Sequence, residues 1–93
     1  MAAKKMLTEE QLKVVKQAIW NTWNYIGYDA EEMCDGDNEC AIEMCIDADR
    51  LTMCSNQSTQ TVGEEATAIL NSVIEFSDYK KVLKYLSKQI QLV

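Results

Sequence analysis

Not one proline interrupts the 93 residues of this chain, and apolar residues recur along it three and four positions apart. Proline is the residue that most reliably breaks a helix, and this spacing collects side chains on one helical face. Together they predict an all-α fold, a small bundle of three or four amphipathic helices around one core. A chain this short encloses a single core, so residues 1–93 are expected to form one helical domain with residues 1–7 frayed.

Helix boundaries follow from capping residues. Thr8-Glu9-Glu10-Gln11 has the form of a capping box and opens a first helix over 8–27, with Leu12, Val15, Ile19, Trp23 and Ile26 as its buried stripe. Gly27 ends that helix, or the chain runs on irregularly through 28–34. Asp35-Gly36-Asp37 is a turn feeding a second helix over 38–54. Thr61-Val62-Gly63-Glu64 repeats the capping-box form and opens a third helix, 62–76. Ser77-Asp78 caps a fourth, 78–90, with Tyr79, Val82, Leu83, Leu86 and Ile90 inward and Lys80, Lys84 and Lys88 on a ridge.

The second helix has more apolar surface than one core contact needs. Ala41, Met44, Cys45, Ala48 and Leu51 cover one side; Ile42, Ile46 and Met53 fall roughly 120° away. The second side is either internal core or the interface of a homodimer, and Ile42, Ile46, Met53 and Trp20 are the interface candidates. Trp20 has an alternative role as a half-buried ring beneath lysine stems.

Metal chemistry finds no support in the spacing. Cys34, Cys40, Cys45 and Cys54 are separated by five, four and eight residues, and the chain has no histidine. On a continuous helix Cys40 and Cys45 would point about 140° apart, so they could not converge on one zinc ion. The Asp35–Glu39 run fails the calcium-loop register, because Gly36 at the sixth position places Met33 third and Ile42 twelfth. No cofactor is expected. The cysteines read as thiols in a cytosolic protein, although Cys34 and Cys40 flank a turn that a disulfide could close under oxidising conditions.

Catalysis has little to stand on. Histidine, the commonest general base near neutral pH, is absent, and no nucleophile-elbow, phosphate-loop or dinucleotide glycine pattern occurs. The chain reads as a non-enzyme. No run approaches the ~20 apolar residues that span a bilayer.

Charge is the remaining signal. Fifteen acids against nine bases give a net charge of −6, which opposes direct binding to nucleic acid or to anionic membrane. The acids are concentrated: Asp29, Glu31, Glu32, Asp35, Asp37, Glu39, Glu43, Asp47 and Asp49 face Arg50 alone, nine against one, or −8 within residues 29–50. Such a segment is either a solvated face or a surface for a basic site on another protein, including one that normally holds nucleic acid.

Three functions remain open. The first is a small interaction module that modulates or inhibits a partner through this acidic face, similar in composition to small accessory proteins of bacteriophages and plasmids. The second is an assembly subunit joined through the second side of helix two. The third is a small-ligand binder with a pocket lined by Trp23 and Tyr25.

Overall fold

The computed structural model describes residues 6–47, 50–53 and 58–93, the side chains of residues 27–31, 53 and 76 excepted. The described helices are α1 (Glu9–Cys34), α2 (Asn38–Ile46), α3 (Arg50–Met53), α4 (Gln60–Phe76) and α5 (Tyr79–Gln89). The fold is a small all-α bundle, as the hydrophobic period predicts.

Helix α1 is the spine. Its 26 residues make a rod of about 39 Å at 1.5 Å per residue, matching the molecule's longest extent of 39 Å. It packs against α4 and α2, and α5 is held to the bundle chiefly through α2. The capping box at its start is formed: the Thr8 amide donates to Gln11 Oε1 at 3.0 Å, and the Gln11 amide to Thr8 Oγ1 at 3.1 Å. Just before it Leu7 is buried, only 3% exposed, and Met6 packs on the core. Residues 6 and 7 are therefore packed on the core, not frayed as expected; residues 1–5 lie outside the described residues.

Helix α1 does not stop at Gly27. An interior glycine costs only about 1 kcal/mol, and the helix formers that follow carry the rod to Cys34. It ends where the backbone turns left-handed, at Asp35 (φ 48°) and Gly36 (φ 84°).

The expected single helix over 38–54 is broken in two. Helix α2 ends at Ile46, and Asp47 leaves it in extended geometry (ψ 152°). Glu39, Glu43 and Asp47 would stack like charges four apart, and an acid at a helix C-terminus opposes the macrodipole. Arg50 then folds back, its Nη1 donating to the Met44 carbonyl at 2.9 Å and satisfying one of the acceptors that the ending helix exposes.

Helix α4 begins at Gln60, so Thr61 lies inside its first turn and does not cap it. Gly63 sits where α4 meets α3 closely: a Cβ there would run into the carbonyl oxygen of Leu51 on α3. Beside it Thr67 Oγ1 donates to the Gly63 carbonyl at 2.8 Å and meets Thr52 Oγ1 at 3.1 Å.

Helix α5 matches its sequence pattern. The Asp78 carboxylate caps it through the Lys80 amide at 3.0 Å. Val82, Leu83 and Leu86 are buried, while Lys80, Lys81, Lys84 and Lys88 are exposed. At its far end Asn38 of α2 reaches across the chain. Its Nδ2 donates to the carbonyls of Ser87 (2.8 Å) and Ile90 (2.7 Å), and its Oδ1 accepts from the Leu92 amide at 2.7 Å.

Candidate functional site

The end of α1, the turn after it and the outer face of α2 bring the acidic segment together into one corner. Glu32 is exposed on the last turns of α1, Asp35 and Asp37 are exposed in the turn, and Glu43 and Asp47 are exposed along α2, with Glu39 half-buried between them. The backbones of Asp29 and Glu31 belong to α1, but their side chains, and all of Asp49, lie outside the described residues.

These carboxylates are not equivalent. Asp37 is the N-cap of α2, its Oδ1 accepting from the amides of Glu39 (3.0 Å) and Cys40 (3.3 Å). The α2 acids also reach the start of α5. The Tyr79 phenol is pushed above its ordinary value, first by burial and then by the charges of Glu43 and Asp47.

The corner carries an apolar group that periodicity alone did not single out. Met33, between Glu32 and the turn, is 72% exposed, and Tyr25 two turns earlier on α1 is 74% exposed. These are the exposed large apolar side chains among the described residues. Tyr25 falls off the stripe of Val15, Ile19 and Trp23, so its exposure follows from the period. Met33 lies five whole turns from Val15, in line with that stripe, and the period would turn it inward.

A covalent link closes the corner. Cys34, the last residue of α1, and Cys40, in the first turn of α2, form a disulfide with Cα atoms 5.5 Å apart, within the usual range for such a bond. This corrects the reading of the pair as thiols: the left-handed turn at 35–36 doubles the chain back far enough to bring them together. Cys45 is a buried thiol in the core, and Cys54 lies outside the described residues. Among the described residues, no three Cys, Asp or Glu side chains are placed to hold a metal ion.

The four residues expected at a dimer interface differ in their surroundings. Ile42, a leading interface candidate, is 0% exposed and belongs to the chain's own core; α2 packs against both α1 and α5. This overturns its assignment to a partner. Ile46 is half-buried and lines a small cleft with Leu51, Thr67, Leu70, Asn71 and Ile74, where the end of α2 meets α3 and α4. Trp20 is half-buried and packs on the core; the Met53 side chain lies outside the described residues.

Trp23 and Tyr25, the residues expected to line a ligand pocket, are in different environments. Trp23 is a core residue, whereas Tyr25 stands out into solvent. Among the described residues, no helix is long and apolar enough to cross a membrane. No family model, curated protein or solved structure significantly matches this chain.

Proposed function

We propose that the chain is a small protein-interaction module that modulates or inhibits its partner by docking the acidic α1–α2 corner onto a basic surface of another protein. The observation that supports this most directly is Met33, 72% exposed on the same corner as Glu32 and Asp35. An apolar anchor ringed by charge suits an interface, because it combines buried contact with electrostatic steering. The partner is a protein with a basic site, which includes sites that otherwise hold nucleic acid; the module itself neither binds nucleic acid nor acts as an enzyme. A cytoplasmic setting belongs to the same proposal.

The test compares two triple charge reversals that change net charge equally. One changes Glu39, Glu43 and Asp47 to Lys; the other changes Glu10, Glu65 and Glu75, exposed acids outside the corner. Binding to an arginine-rich peptide at physiological salt is expected to collapse for the first and to survive for the second. Equal loss in both would reduce the effect to net charge and remove the corner from the account. Met33→Ala is expected to weaken binding without changing its dependence on salt.

A further inference from the structure

We propose that the Cys34–Cys40 disulfide is a redox latch on the acidic corner: oxidised it fixes the turn between α1 and α2, and reduced it lets that turn loosen while the bundle stays folded. The consequence for partner binding rests on the docking reading above; the latch itself does not.

The reasoning starts from what else holds the turn. Asp35 is a non-glycine residue in the left-handed region, next to Gly36, also at positive φ, a conformation that L-residues adopt at a cost. The turn is closed by one backbone bond, Asp37 amide to Cys34 carbonyl at 3.0 Å, and by the Asp37 cap. Asp35, Gly36 and Asp37 are all exposed, so water competes for each of these bonds. Around them Glu32, Asp35, Asp37, Glu39 and Glu43 carry like charge. Strain and repulsion both favour opening, and the disulfide is the covalent restraint against them.

What lies outside the turn explains why the remainder should persist. Ile42 and Cys45 on α2 are wholly buried, and Asn38 is anchored to the end of α5 through three bonds of 2.7–2.8 Å. The corner therefore opens as a local unit. Chemically, a dithiol reductant supplies two electrons and two protons. The single S–S bond breaks, both cysteines become thiols, and the reductant is left as its own disulfide. Cys34 is buried and Cys40 half-buried, so Cys40 presents the more reachable sulfur. The surrounding carboxylates repel the glutathione thiolate, which carries carboxylates of its own, more than the singly charged thiolate of dithiothreitol.

The experiment is amide hydrogen exchange on the full chain, oxidised and after dithiothreitol, with helicity followed by circular dichroism. The state is verified by a mass gain of about 2 Da on reduction, one hydrogen per sulfur. Reduction is expected to speed exchange of the Glu39, Cys40 and Ala41 amides by roughly tenfold or more, with protection in α4 and α5 kept. A Cys34→Ser/Cys40→Ser variant is expected to match the reduced chain and to ignore reductant; if it does not fold, the reduced natural chain decides alone. Unchanged exchange in the corner overturns the latch. So does loss of protection throughout the bundle, which would make the bond a staple for the whole fold.

An arginine-rich peptide serves as the second readout. It is expected to bind the oxidised form several-fold more tightly. Equal binding to both forms would disconnect the latch from docking, whereas no binding to either would sink the docking reading and leave the latch to be judged on exchange.

Discussion

Asn38 caps a helix that it does not belong to: its Nδ2 lies 2.7 Å from the carbonyl of Ile90, 52 residues along the chain. The last carbonyls of a helix have no partner within it, and here one amide side chain from α2 serves two of them while its oxygen receives the Leu92 amide. Asn38→Ala removes these three bonds and a longer fourth from the Val93 amide (3.4 Å), and a loss of about 2–3 kcal/mol is expected, readable as a lower midpoint in thermal or urea unfolding. Asn38→Asp has nearly the same shape but no donor for Ser87 and Ile90. It is expected to be at least as damaging at neutral pH, which would identify donation as the important half of the bond.

Gly36 and Gly63 should respond to alanine for opposite reasons. At Gly36 a Cβ meets nothing within 4 Å, but φ is +84°, so Gly36→Ala is expected to cost about 1–2 kcal/mol in backbone conformation alone. At Gly63 the backbone is helical and alanine would normally help. The Leu51 carbonyl occupies the Cβ position, so Gly63→Ala is expected to destabilise by roughly 1–3 kcal/mol as α3 is pushed off α4. Denaturant midpoints measure both. A stabilised Gly63→Ala would show that the helices do not meet there.

Tyr79 should ionise above its ordinary value of 10.0, observable by absorbance near 295 nm when the other tyrosines are replaced by phenylalanine. Because folding raises this value, the associated stability is complete below about pH 10 and is lost as pH rises through the folded value. Glu43→Gln and Asp47→Asn together should lower it part of the way, leaving the larger contribution from burial. No change on removing both charges would separate the α2 ridge from α5.

Arg50 is the lone base in residues 29–50, and it is also the donor to the Met44 carbonyl at 2.9 Å. Arg50→Ala leaves that carbonyl without its charged donor and takes the local charge from −8 to −9 (nine acids, no base). A loss of about 1.5–3 kcal/mol is expected. Repeating the melt in 0.5 M salt separates the causes: the repulsive share shrinks under screening, and the share from the lost bond stays.

Why some of this was legible and some was not follows from the range of the interactions. The Thr8–Gln11 box, the Asp78 cap and the inward face of α5 depend on residues three or four apart, so the pattern predicts them directly. The break after Ile46 depends on Arg50 folding back and on Gly63 admitting Leu51, a contact between segments twelve residues apart in sequence. Asn38 read only as another residue of a helix start, since its partners lie near the other end of the chain. Ile42 was ambiguous for the same reason: its period gives a face, and only the position of α5 decides whether that face is core or surface. In the acidic corner the carboxylates and the turn were legible. The exposure of Met33 was not, because the helical period aligns it with Val15 on the inward stripe, and only the placement of the other helices leaves that end of α1 uncovered.

The clasp between Asn38 and Ile90 also sets a timetable. A chain emerging at 5–20 residues per second adds the 52 residues between them in roughly 3–10 seconds. For that interval α2 can be made but its amide has only water to hold. The final helix therefore arrives as the piece that locks the others, and a stalled or shortened product would present α2 with the side chain meant for that lock still in solvent.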